Sequence, residues 1–304
     1  MSSSRKDPSA VLRVGPAGWS YEDWKGIVYP SSTPGGFDPL EYLAGYFDTL
    51  EINSTFYRLP SPSTVRSWAR RVAGNSEFRF SVKLWGRFTH ERSGWSERDA
   101  ETFLDLARIL REPGRLGAVL VQFPWSFKNR EKERGYLWGL LDRLRDLPLV
   151  LEVRHASWTS EEIARELTER GVGICNLDQP LFRHSVGPGS QTTSALGYIR
   201  LHGRNVDDWF RGDAGRDERY DYLYSLSELR EWAERIRKVR ERTRETYVVT
   251  NNHFRGQAVA NAVQLMNILG GGKKVAVPPP LVRSFPQLSG IRKPEPGQTD
   301  LFEG

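Results

Sequence analysis

Short runs rich in β-branched and aromatic residues alternate along this chain with longer stretches whose apolar positions recur every three to four residues. The short runs, bounded by Gly, Pro, Asn, Asp and Ser, predict strands over 12–18, 50–55, 78–84, 118–123, 149–153, 172–177, 198–201 and 247–251. The longer ones predict helices over 39–47, 62–72, 97–110, 131–144, 160–169, 226–240 and 257–269. Start and stop signals agree: Ser61 precedes Pro62, Ser96 stands three residues before Asp99, Thr159 three before Glu162, and Gly270 follows the last apolar position. The alternation is interrupted only at 179–195, which is rich in Pro, Gly, Ser and Thr. It predicts an α/β fold, a single TIM-like (β/α)8 barrel with an irregular connection between strands six and seven. A doubly wound open sheet is the alternative use of the same elements. The barrel is expected over 12–285, between a flexible start at 1–11 and a flexible tail at 286–304.

Barrel interiors are ordinarily filled by branched apolar residues, and catalytic groups collect where the strands end. With Ile52, Val82, Val153 and Leu201 facing the helices, period two turns Glu51, Asn53 and Thr55 inward, and likewise Ser81 with Lys83, Glu152 with Arg154, and Arg200 with His202. Gln122, Asn176, Asp178 and the run Asn251, Asn252, His253 add polar groups at other strand ends, and His90 and His155 follow in the loops. Such groups cost about 2–7 kcal/mol each to bury unpaired, so they must bond to one another, to water or to a ligand. A wholly structural network is the bland alternative. Seven of the ten tryptophans (Trp19, Trp24, Trp85, Trp95, Trp125, Trp158, Trp209) also follow strands, joined by Tyr21, Phe56, Tyr57, Phe127 and Phe210. They suggest a rim able to stack on sugar or base rings, although each loop Trp taken singly is an ordinary packing residue.

Composition narrows the picture. With 304 residues, 38% of them hydrophobic and 12% aromatic, the chain can bury a large core, which rules out disorder for its bulk. No apolar run reaches the roughly 18 residues of a membrane span, and the start lacks a secretory apolar region, so a soluble cytoplasmic protein with no membrane partner is expected. The single cysteine, Cys175, excludes an intramolecular disulfide and a Cys-based metal knuckle, and is expected to pack in the core. The formal charge of +6 favours an anionic small molecule or nucleic acid as partner, although the Arg and Glu alternating over 228–245 make an ordinary solvated face.

In order along the chain stand Gly18-Trp19-Ser20, Glu51-Ile-Asn53-Ser-Thr55-Phe-Tyr57, Phe80-Ser-Val-Lys83, Gln122-Phe-Pro124, Glu152-Val-Arg154-His155-x-Ser-Trp158, Arg200-Leu-His202-Gly203 and Asn251-Asn252-His253, followed by Ala260-Asn261-Ala262. This succession resembles the YecE-like family, the domain of unknown function seventy-two, over roughly residues 12 to 285. The resemblance implies a TIM-like barrel, in agreement with the strand count, and no settled activity. It carries over only the matched positions as a site.

Three chemistries fit these residues. The first is an enzyme, a hydrolase or lyase on a phosphate-bearing sugar or nucleic acid. Lys83, Arg154 and Arg200 would hold phosphate oxygens, Glu51 or Glu152 would be general base, and His202 or His253 general acid. Asn53, Thr55, Gln122, His155, Trp158 and Asn252 would complete substrate binding. The second is a divalent-metal site built from Glu51, Glu152, Asp178, His202 and His253, disfavoured by the three cations on the same inner face and by the absence of HExxH spacing. The third is a non-catalytic anion or nucleic-acid binding module. Walker A, strand-linked GxGxxG and GxSxG signatures are absent, and Gly270-Gly-Gly-Lys-Lys reads as a linker because it follows a helix. Separately, Gln298-Thr-Asp-Leu301-Phe302 resembles the peptide by which bacterial DNA-metabolism proteins dock on the replication sliding clamp, with Leu301 and Phe302 as apolar anchors.

Overall fold

The computed structural model describes residues 10–206 and 219–294. Its strands are β1 Val11–Pro16, β2 Thr49–Ile52, β3 Arg79–Lys83, β4 Leu116–Gln122, β5 Leu149–Glu152, β6 Gly173–Asp178, β7 Leu196–Leu201 and β8 Glu245–Thr250. They form one parallel sheet in the order β1-β8-β7-β6-β5-β4-β3-β2. Its two ends meet at a bridge between Ala17 and Glu51, where the Gly18 N–H donates to the Glu51 carbonyl at 2.9 Å. The open doubly wound alternative is thereby excluded: this is a TIM-like (β/α)8 barrel.

Sequence explains the seam. A Cβ on Gly15 would stand 2.0 Å from the Thr49 carbonyl oxygen, so only glycine lets β1 approach β2 this closely. Across the barrel, Gly117 lies where the register between β3 and β4 slips, and a Cβ there would meet the Tyr247 hydroxyl at 2.0 Å. The missing side chain at 117 leaves room for the tyrosine ring.

Helices α1 Pro39–Ala44, α3 Pro62–Arg71, α4 Glu97–Arg111, α5 Glu131–Arg143, α6 Glu161–Glu169, α7 Leu226–Arg240 and α8 Gln257–Leu269 pack outside the sheet, α2 Ser54–Tyr57 is a single turn, and α9 Pro279–Ser284 follows α8. Polar caps set several starts. Asp38 accepts from the Leu40 and Glu41 N–H groups, Ser61 from Thr64, and Ser96 with Asp99 and Ser225 with Glu228 form reciprocal capping boxes. Ser160, not Thr159, caps α6 by accepting from the Ile163 N–H, because Thr159 ends the preceding 3-10 turn. No helix forms over 179–195, as its composition predicts. Outward strand residues such as Ile52, Val82, Val121, Leu151, Ile199 and Val248 belong to the core between sheet and helices. Inside the barrel, Ala17, Ala118, Leu120, Val150, Cys175, Leu177, Tyr198, Tyr247 and Val249 form a second apolar cluster.

The packed chain runs past the expected boundary at 285. Pro286–Ile291 forms a 3-10 helix that buries Leu288, and the Lys293 N–H donates to the Val275 carbonyl at 2.9 Å. Among the described residues, no helix is long and apolar enough to cross a membrane. Trp209, Phe210, Gln298, Leu301 and Phe302 lie outside the described residues.

Candidate active site at the barrel mouth

Parity along three strands builds a charged layer above the apolar interior. Glu51 of β2, Glu152 of β5 and Arg200 of β7 point inward and are buried, with Arg154 just beyond β5. Arg200 stands between the two carboxylates. It donates from Nε and Nη2 to Glu51 at 3.0 and 2.6 Å, and from Nη1 to Glu152 at 2.8 Å. Arg154 reaches the other Glu152 oxygen at 2.6 Å and the Gln179 side-chain oxygen at 2.8 Å. The Tyr198 hydroxyl donates to Glu51 at 2.9 Å and also meets Ser81. Burial alone would raise the Glu152 carboxyl, but Arg154, Arg200 and His202 override it and hold it well below the usual carboxylate range.

His202 completes this layer as a base already in use. Burial, then Arg154 and Arg200, push its pKa well down, so the ring is neutral at pH 7. Its Nε2 accepts from Arg154 at 3.0 Å. Nδ1 lies 3.0 Å from the side-chain amide nitrogen of Asn251, and Nε2 also lies 3.4 Å from a Glu152 oxygen. His202, expected as a general acid, is fully buried between Arg154, Arg200 and Glu152, beneath the residues that line the mouth. Glu51 and Glu152, expected as general bases, are engaged by the same arginines.

Above lies a cavity of about 490 Å³, open to solvent and lined by Tyr21, Asn53, Tyr57, Lys83, Gln122, Arg154, Arg200, Tyr220, Asn251 and His253. Lys83 ends β3 on its inward face, with its ammonium 4.1 Å from the centre of the Phe56 ring. Burial, with Arg200 next in weight, lowers its pKa to about 7 against the opposing pull of Glu152 and Glu51. On the far side of Phe56 the His90 ring packs edge-on at 4.7 Å, and burial and the nearby Lys83 lower its pKa to about 4. The His253 ring stacks on Tyr21 at 4.6 Å. The Asn53 side-chain oxygen is buried with no hydrogen-bond partner among the described residues.

Several expected site residues lie elsewhere. Because β2 ends at Ile52 and turns into α2, period two breaks there. Thr55 bonds the carbonyls of Ile52 and Lys83, and Tyr57 reaches the mouth in its stead. His155 caps the turn Ala156–Trp158 by accepting from the Ser157 N–H at 3.1 Å. Trp158 is buried, stacked on Phe127 and bonded to its carbonyl. Asn252 faces α8 and donates to Asn261 and to the Tyr222 carbonyl. Asn176 and Asp178 alternate with the inward Cys175 and Leu177: Asn176 bonds the Gln191 backbone and Asp178 pairs with Arg204.

The metal set is dispersed accordingly. Asp178 is outside, Arg200 separates Glu51 from Glu152, and no group of three or more His, Cys, Asp or Glu among the described residues could hold a metal ion. Among the described residues the aromatic lining is tyrosine, since Trp19 packs on Trp68 and Phe80 while buried Trp24 bonds the His253 carbonyl. Tyr21 and Tyr57 were expected in the aromatic rim and Asn251 among the polar groups at the strand ends, whereas Tyr220 and Gln179 were not singled out. Asn251 follows from strict alternation along β8 after Tyr247 and Val249, whereas Tyr220 and Gln179 sit in irregular chain with no periodic signal.

This is a TIM-like barrel whose strand ends carry a compact polar site. The chain matches the family described as Protein of unknown function DUF72 over residues 13–284, and it belongs to that family. It is 26% identical over 277 residues to UPF0759 protein YunF of Bacillus subtilis (strain 168), covering 85% of this chain and 95% of that protein. It is 29% identical over 188 residues to UPF0759 protein YecE of Escherichia coli (strain K12), covering 60% of this chain and 64% of that protein. A solved DUF72 family protein of Thermotoga maritima MSB8 superposes with a TM-score of 0.74 at 36% identity, over 86% of this chain and 99% of that one. One from Enterococcus faecalis V583 gives 0.76 at 25% identity, over 86% and 96%.

Proposed function

We propose that the mouth is the active site of an enzyme for a small phosphate-bearing sugar, with Lys83 as the group that changes protonation during turnover. The observation that carries this reading is a half-buried amine, lowered to about 7, facing a cavity among amides and phenols. A group titrating near the working pH can both take and return a proton. Asn53, Gln122 and Asn251 offer hydrogen-bonding groups for sugar or phosphate oxygens, and Tyr57 and Tyr220 offer ring faces. Arg154 and Arg200 fix the carboxylates and present their remaining surface at the cavity floor. His253 is the second candidate for proton transfer.

Calorimetric titration with ribose 5-phosphate, glucose 6-phosphate and a single-stranded oligonucleotide tests the reading. Saturable binding of a sugar phosphate, weakened tenfold or more in Lys83→Met, is expected. Steeply salt-dependent binding of the oligonucleotide alone would replace this reading with the nucleic-acid module, and silence from every phosphate ligand would end both.

A second proposal rests on the sequence Gln298-Thr-Asp-Leu301-Phe302 as a docking peptide for a sliding clamp. Unchanged clamp binding after Leu301→Ala with Phe302→Ala would refute it.

A further inference from the structure

Lys83 is placed differently from the other interior charges. Glu51 and Glu152 are both taken by arginines, so neither carboxylate ties down the lysine, and its Nζ makes no hydrogen bond or ion pair among the described residues. It is held instead by the Phe56 ring face at 4.1 Å and borders the cavity. We infer that Lys83 is a nucleophile that condenses with the aldehyde or ketone of an open-chain sugar phosphate to form an iminium. This inference rests on reading the mouth as an active site for such a substrate, and goes beyond it by naming a covalent step.

The step balances without an added oxidant or reductant. The amine lone pair attacks the carbonyl carbon and the π electrons move to oxygen. A proton passes from nitrogen to that oxygen to give a carbinolamine. A second proton, from water in the open mouth or from the Tyr57 or Tyr220 phenol, lets the hydroxyl leave as water, and the nitrogen lone pair forms the C=N⁺ bond. The iminium is an electron sink, so the reaction class is proton removal or carbon–carbon cleavage beside the former carbonyl. The neutral amine needed for attack is abundant at pH 7, because burial and Arg200 outweigh Glu152 and Glu51.

Charge selects the substrate. Arg154 and Arg200 cancel Glu51 and Glu152, so the iminium charge has no partner left in this layer, and a phosphate on the substrate supplies one. Phosphorylated aldehydes should therefore be trapped in preference to neutral ones.

The experiment is borohydride reduction of the full-length protein with glyceraldehyde 3-phosphate, ribose 5-phosphate or unphosphorylated glyceraldehyde, followed by intact mass and peptide mapping. One adduct per chain on the Lys83 peptide is expected, at concentrations tenfold or more below those that label exposed Lys25 and Lys132, and tenfold less with glyceraldehyde. Adducts spread over surface lysines with Lys83 unlabelled overturn the inference. If sugar phosphates then still bind and Lys83→Met weakens them, the covalent step alone has failed; if they do not bind, the active-site reading has failed with it. Because the trapping is read on the unmodified protein, misfolding of a variant cannot mask the result.

Discussion

Two layers of the same barrel interior handle polarity in opposite ways. In the lower, Glu51, Glu152, Arg154 and Arg200 are locked together by contacts of 2.6 to 3.0 Å, and Arg200 alone makes three of them. In the upper, a short step toward solvent, Lys83 has no carboxylate and Asn53 has an unpartnered oxygen. Buried charges are tolerated when opposite charges and hydrogen bonds surround them, so the lower layer can be read as scaffold. An unsatisfied group that borders a solvent-open cavity, as Asn53 does, is where a ligand's atoms fit. The comparison therefore separates positioning residues from reacting ones by the partners each already has.

The comparison breaks first if Arg200 is not the keystone. Arg200→Met removes the cation between two buried carboxylates and should cost about 3–5 kcal/mol by denaturant unfolding at pH 7. Glu152 contributes stability above its unfolded pKa that persists until pH falls through its depressed folded value, so the wild type keeps this support into acid. In the variant, Glu152 has lost one of the two guanidinium groups that hold its carboxyl down, so less stability is lost in acid and the gap to wild type should narrow as pH falls. A loss under about 1 kcal/mol at pH 7 would mean that the layer is not a scaffold.

Lys83 should respond with the opposite sign. Its folded pKa, about 7, lies below an unfolded value of about 10.4, so between those pH values the unfolded chain binds more protons and wild-type stability rises with pH. Lys83→Met should therefore stabilise the fold by about 1.4 kcal/mol per unit of separation, a few kcal/mol below pH 7, shrinking toward pH 10. Arg200, Glu152, Glu51 and Arg154 are the charged groups setting this value, with His90 close behind Phe56. A pH-independent difference between the two proteins would show that the amine is not held down.

The fold was legible because parallel strands and their helices carry different periods, and inward parity was legible wherever an apolar neighbour fixed the opposite face, as Ile52 does for Glu51 and Leu201 for Arg200. What was not legible depends on chain geometry or on distance. Thr55 was misplaced because the strand stops at Ile52, and Trp158 because burial in a loop leaves no periodic trace. The pairing of Arg200 with Glu51 spans 149 positions, and only closure of the barrel brings them together. Lowering of the Lys83 pKa is a consequence of that closure. Asn252 was a different failure, for alternation from Val249 through the inward Asn251 already turned it outward. Asn252→Ala should cost about 1–3 kcal/mol, because the Asn261 oxygen and the Tyr222 carbonyl lose a buried donor. It should leave sugar-phosphate affinity in calorimetry unchanged, and a loss of affinity at full stability would return it to the site.

Asn53→Ala is the smallest effect on the fold and the sharpest divider of the two layers. Its side-chain oxygen has no partner to lose, so stability should move by less than about 1 kcal/mol, and removal of an unsatisfied acceptor can even raise it. If that oxygen waits for a substrate hydroxyl, the same change should weaken sugar-phosphate binding by about 1 kcal/mol or more, roughly fivefold to tenfold. The two measurements move independently only for a group whose partner is the ligand. Equal affinity in Asn53→Ala and wild type would mean that the vacancy is filled by water, and Lys83 would then be the only upper-layer group still supported as reacting.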